Sequence, residues 1–179
     1  FTQKYAKYVD AFIGIDTTPF GKSYYKWFEI FFTRHFTAMA RLYPFNYYCK
    51  TVASASTYTE ESYESLYKSV AKLGKKGMLQ CGEAIFKDFP NYDEVKFNCP
   101  VLLVVGEHDM IGYVKKYNEL WHSMRGYPLT IIPNASHNSN YDNYEEFNKI
   151  VDNFLEPYFV PTFINTSYAC LKDRGMHKA

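Results

Sequence analysis

The apolar positions change period along the chain, and each change marks an element. Phe1, Tyr5, Tyr8 and Val9 share one helical face, which predicts a helix over Phe1–Val9. "AFIGID" (Ala11–Asp16) is a short apolar run closed by "TTPFG", the pattern of a buried strand running into a turn. From Lys22 to Phe89 the spacing is helical throughout, with no alternation of period two. In the first part of this segment Trp27, Phe28, Phe31, Phe32 and Met39 recur at helical intervals. In the next, Tyr63, Leu66, Tyr67, Val70 and Leu73 form one stripe. Thr57 with Glu60 has capping-box spacing and Gly74 suits a helix C-cap, and "MLQCGEAIFKDF" predicts a third helix.

Beyond Pro90 the pattern reverts. "CPVLLVVGEHD" is a continuous branched-aliphatic run ending at Gly106, as expected of a strand covered on both faces. "GYVKKYNELWHSM" predicts a helix and "PLTIIPNAS" a second buried strand. Tyr144–Leu155 predicts a closing amphipathic helix, with Asp142 and Glu145 at capping-box spacing. Strand, helix, strand, helix with short connections specifies parallel strands in an α/β fold. The organisation expected is therefore a core start at 1–21, a helical insert at 22–89, a second core segment at 90–156, and a tail at 157–179 with no assigned structure. No internal repeat appears.

Composition narrows the function classes. At 179 residues the chain can bury one sizeable core, and 47% apolar with 22% charged residues describes a globular protein. A net charge of +1, without a Lys/Arg cluster, argues against a nucleic-acid partner. "VLLVV" is far short of the ~20 apolar residues that a membrane span needs. Four separated cysteines (Cys49, Cys81, Cys99, Cys170) without a C-x-x-C pair point to no metal site, no disulfide framework and a reducing, cytoplasmic setting. The 20% aromatic content suggests an apolar cleft besides a core.

Two polar clusters fall just after the carboxyl ends of the late strands, where open α/β sheets place their ligands. One is "GEHD" (Gly106–Asp109); the other is "PNASHNSNYDN", centred on His137. A carboxylate and an imidazole on adjacent loops can form the orienting half of an acid–base–nucleophile system, in which the carboxylate fixes the tautomer and stabilises the imidazolium. His35, His108, His122 and His177 have no comparable setting.

The combined pattern, "PVLLVVGEHD", a helix containing Trp121, "PLTIIPNASHNSNYDN" and the following helix, resembles the C-terminal part of the α/β-hydrolase superfamily. In that family a nucleophile, an acid and a base follow one another along the chain. The resemblance implies Asp109 as the acid and His137 as the base, 28 residues apart, and the segment 22–89 as the family's helical cap. Asp16 also ends a strand and is the alternative acid, since some family members take it from that earlier position. Tyr144 stands where relatives often carry a proline at the helix start. The resemblance implies no metal and no organic cofactor.

The family's G-x-S-x-G elbow does not occur. "FGKSYY" lacks the second glycine and follows the wrong strand, so Ser23 is expected to be a cap residue, and Cys81 falls within the insert. No nucleophile is therefore assigned, and by the resemblance it belongs upstream of Phe1. The expected function is an esterase-like serine hydrolase with a small apolar ester substrate, its acid and base on this chain, and no turnover by the chain alone. Trp27, Phe28, Phe31 and Phe32 are candidate substrate-pocket residues beside the simpler alternative that they pack the cap onto the sheet; Tyr24 and Tyr25 share that choice. The strand at Ala11–Asp16 would leave an exposed sheet edge open to self-association. The alternatives are a non-catalytic remnant or binding module of the same fold, or dehalogenase, lyase or peroxidase-type chemistry.

Overall fold

The three apolar runs form a parallel sheet in a computed structural model, which describes residues 1–19, 21–86, 94 and 96–159. Strands β1 (Phe12–Ile15), β2 (Val101–Gly106) and β3 (Leu129–Ile132) lie in the order β1-β2-β3. Phe12 pairs with Val101, and Leu103 with Leu129. Every position of β2 is buried because both its faces are covered. On one face Val101 and Leu103 pack with Trp121 and Tyr24; on the other, Leu102 and Val104 pack with Ile132 and Ala135. Trp121 belongs to helix α4 (Val114–Arg125). Phe147, Ile150 and Phe154 of helix α6 (Tyr144–Phe159) close the second face. The two outer strands are less buried than their sequences suggest: Ile15 and Ile131 are exposed, because among the described residues each outer strand has one neighbour.

Between β1 and β2 the described residues form helices: α1 (Trp27–Leu42), α2 (Phe45–Ser56) and α3 (Glu60–Phe86). Helix α3 packs on both others, and the Phe36 and Phe86 rings meet at 4.6 Å. It breaks at Gly74, whose φ of 74° and ψ of 164° lie outside helical space and favour glycine. That is the stop expected there, followed at once by a further helical segment. Lys75 closes the end of α1 by donating to the carbonyls of Arg41 and Tyr43. At the insert's start, the Tyr24 hydroxyl and the Arg125 guanidinium both bond Glu94, fastening this end to α4.

Several local expectations change. Phe1–Val9 yields only a 3₁₀ turn at Ala6–Tyr8, with Phe1 and Tyr8 exposed. A face that packs on little cannot offset the cost of nucleating so short a helix. Thr57 does not start α3: its hydroxyl bonds back to the Ala53 carbonyl, and Thr59 caps the helix by accepting from the Ser62 amide at 3.2 Å. Ser23 lies inside a 3₁₀ turn (Lys22–Tyr24) and not at its cap. Helix α6 runs through Pro157 to Phe159, past its expected end at Leu155. Residues 87–89 of the expected third helix and 160–179 of the tail, with Cys170 and His177, lie outside the described residues.

Candidate active site

The chain leaves β2 through Gly106, and the histidine loop crosses directly over that position. A Cβ at residue 106 would overlap the carbonyls of Ala135 and Ser136, so only glycine lets the two loops approach this closely. Backbone bonds then join them: Glu107 donates to Ile132 at 2.9 Å and His108 to Ala135 at 2.8 Å. Asp109 follows in a turn. One of its oxygens accepts from the Ile111 amide at 2.8 Å, and the other lies 3.0 Å from His137 Nδ1.

The Asp109 side chain is fully buried and the His137 side chain is 31% exposed. An ionised carboxylate only accepts, so opposite one the neutral imidazole carries its proton on Nδ1 and keeps a lone pair on Nε2. Among the described residues, nothing hydrogen-bonds His137 Nε2. Burial pushes the imidazole pKa down. The hydrogen bond and charge of Asp109, with the charge of Asp16, outweigh it and hold the ring above its ordinary value. Chemically this is an imidazole held through Nδ1 by a buried carboxylate, on a side chain that is partly open to the surface, an arrangement that can act as a base.

Asp16, the alternative acid, is placed differently. The chain turns sharply there (φ 42°), and its buried carboxylate accepts from the Gly106 amide at 2.9 Å and from the Ser139 amide and hydroxyl at 3.0 and 2.5 Å. Burial raises its pKa above the ordinary value against the lowering effect of these bonds. It ties the ends of β1 and β2 to the histidine loop, and Asp109 holds the direct imidazole contact.

Asp142 does not cap α6 as its spacing suggests. It ends a one-turn helix, α5 (Ser139–Asp142), and Asn143 instead accepts from the Glu146 amide at 3.4 Å. The Asp142 carboxylate reaches the α2–α3 corner, accepting from the amides of Tyr58 at 3.0 Å and Thr59 at 3.2 Å, and from Ser136 at 2.9 Å. The Tyr58 ring stacks on His108 at 4.7 Å. Neither contact was legible in the sequence, since the partners are 84 and 50 positions apart; the one signal was a carboxylate five residues beyond His137.

The remaining candidates are separate. Trp27, Phe28, Phe31 and Phe32 lie on α1 with exposures of 80%, 38%, 51% and 55%, so they do not pack the insert onto the sheet. Tyr24 and Tyr25 do, within the β1–β2–α4 cluster. Cys81 is exposed on α3. His35 bonds the Phe31 carbonyl and His122 the Tyr127 carbonyl. Among the described residues, no three His, Cys, Asp or Glu side chains are grouped to hold a metal ion, and no helix is long and apolar enough to cross a membrane.

No family model and no curated protein sequence matches the chain. Solved structures do. A thermophilic esterase aligns with a TM-score of 0.67 at 20% identity, over 87% of this chain and 60% of its own. MGS-M2, an α/β-hydrolase enzyme from a Medee basin deep-sea metagenome, aligns at 0.59 and 17% over 87% and 59%. A bromoperoxidase from Bacillus anthracis aligns at 0.55 and 17% over 82% and 57%. The chain thus spans about 60% of the length of the solved structures it matches, and what it shares with them is an α/β-hydrolase fold in part.

Proposed function

We propose that this chain supplies the acid and base of an esterase-type serine hydrolase. The observation that carries the reading is the His137–Asp109 pair: a 3.0 Å bond to Nδ1, a buried carboxylate, and a free Nε2 at the carboxyl ends of β2 and β3. In this role His137 takes the proton of an attacking serine hydroxyl through Nε2 and returns it to the leaving alcohol. Asp109 keeps Nδ1 protonated and balances the imidazolium formed between those steps. The serine and the oxyanion donors come from outside these 179 residues, consistent with the 60% of an esterase chain that is matched. Helices α1–α3 act as the cap. The α1 face of Trp27, Phe28, Phe31 and Phe32 contacts the acyl or alkyl part of a small apolar ester once the rest of the fold opposes it.

The test has two parts. The purified chain should hydrolyse p-nitrophenyl esters no faster than buffer and resist fluorophosphonate labelling. Turnover abolished by His137→Ala would show that a nucleophile lies within the chain. In a polypeptide that also carries a G-x-S-x-G segment, Asp109→Asn should cost about four orders of magnitude in kcat and His137→Ala about six. Hydrolysis untouched by either substitution would end the proposal.

A further inference from the structure

We infer that Asp142 is a positioning residue for His137, acting by fastening the α2–α3 corner of the helical insert to the loop that carries the imidazole. The inference rests on His137 being the base, and it concerns what holds that base in place. The bond from Nδ1 to Asp109 requires both partners to be located within a few tenths of an ångström. Asp109 is fixed from its own side by the Ile111 amide and by burial at the end of β2. His137 projects from a loop and depends on its neighbours in sequence.

Those neighbours are anchored one by one. Ser139 is held by Asp16, from the sheet. Ser136 is held by Asp142, whose carboxylate accepts from the Ser136 amide at 2.9 Å. Asn138 is held by the insert itself: its amide donates to the Ser56 carbonyl at 2.8 Å, and its side chain to the buried Ser62 hydroxyl at 2.9 Å. Asp142 is the carboxylate that bonds both sides of the junction, because the same two oxygens take the Tyr58 and Thr59 amides. A carboxylate offers about four acceptor sites, and these three amides together with the Thr59 hydroxyl, at 3.4 Å, occupy them. An alanine there would leave three backbone N–H groups to find other partners. The corner also reaches the acid side through the Tyr58 ring stacked on His108. The α2–α3 corner therefore bridges the two loops whose side chains must meet.

Asp142→Ala in the 179-residue chain tests this by proton and nitrogen NMR of the His137 ring. The downfield Nδ1–H resonance should broaden or vanish, and the His137 titration midpoint should fall by about one pH unit as contact with Asp109 loosens. Asn138→Ala removes the Ser62 link without changing charge and should move the same signals less far. It also serves if Asp142→Ala does not fold. A lowered thermal midpoint with the Nδ1–H resonance and titration of His137 unchanged in both variants would reduce Asp142 to a structural rivet. Neither readout uses turnover. A failure of the esterase reading would show as hydrolysis surviving His137→Ala, with these NMR results left standing.

Discussion

His137 Nδ1 lies 3.0 Å from a carboxylate oxygen of Asp109, and of the two side chains only the imidazole reaches the surface. Burial opposes the imidazolium and two carboxylates favour it, with the balance on the raised side. Because the folded-state pKa is above the unfolded value, this group's contribution to stability is complete below pH ~6.5 and is lost as pH rises through the folded midpoint. Asp109→Asn should bring the His137 midpoint down and remove that part of the pH dependence. Urea midpoints at pH 5.5 and 8.5, with an NMR titration, check it; an unshifted His137 midpoint in Asp109→Asn would mean that the Asp109 charge does not hold the imidazolium.

Asp16 should show the opposite profile of effects. Its side chain joins β1, β2 and the histidine loop through the Gly106 amide and the Ser139 amide and hydroxyl. Asp16→Ala strands those buried donors and should cost about 2–4 kcal/mol of stability. The Asp109–His137 bond should persist in the folded fraction, seen as a retained downfield proton. If Asp16→Ala instead leaves stability intact and abolishes that proton, Asp16 is the imidazole's carboxylate.

Gly106→Ala should be among the most damaging single methyl additions in the chain. The new Cβ meets backbone carbonyls of Ala135 and Ser136, which cannot rotate away as a side-chain tip would. A loss above about 3 kcal/mol is expected, larger than ordinary overpacking of side chains. Equilibrium urea unfolding measures it, and a loss under 1 kcal/mol would mean the loops can separate at little cost.

The aromatic face of α1 separates folding from function. Trp27 is 80% exposed and Phe31 51%, so Trp27→Ala and Phe31→Ala should each change the chain's stability by no more than about 0.5 kcal/mol. In a hydrolase that carries the nucleophile, the same changes should raise KM for longer-chain esters more than for acetates. Equal effects on both esters would remove these rings from the pocket.

Strand β1 has one neighbour among the described residues, which leaves its outer edge to pair. Sedimentation velocity of the isolated chain should show association growing with concentration. Ile15→Lys should weaken it, because a charge on an edge strand opposes pairing. Strictly monomeric behaviour at high concentration would show that the edge is protected.

Two kinds of information are separable in this protein. The strands, the α/β order and the placing of polar clusters around Asp109 and His137 follow from local composition: a run such as Val101–Val105 is apolar at every position because two layers must cover it, and polar residues gather where its backbone stops pairing. Those signals lie within about ten residues of what they describe, so the sequence alone determines them. The choice of Asp109 over Asp16 as the imidazole's partner, the transfer of Asp142 from helix cap to junction, and the loop crossing over Gly106 depend on groups far apart in the chain. A carboxylate's spacing allows several partners, and which it takes depends on the donors that the packed sheet and insert bring within 3 Å. The exposed faces of Phe1–Val9 and α1 make the same point from the other side: amphipathic spacing shows that a face exists, while only packing decides whether anything covers it.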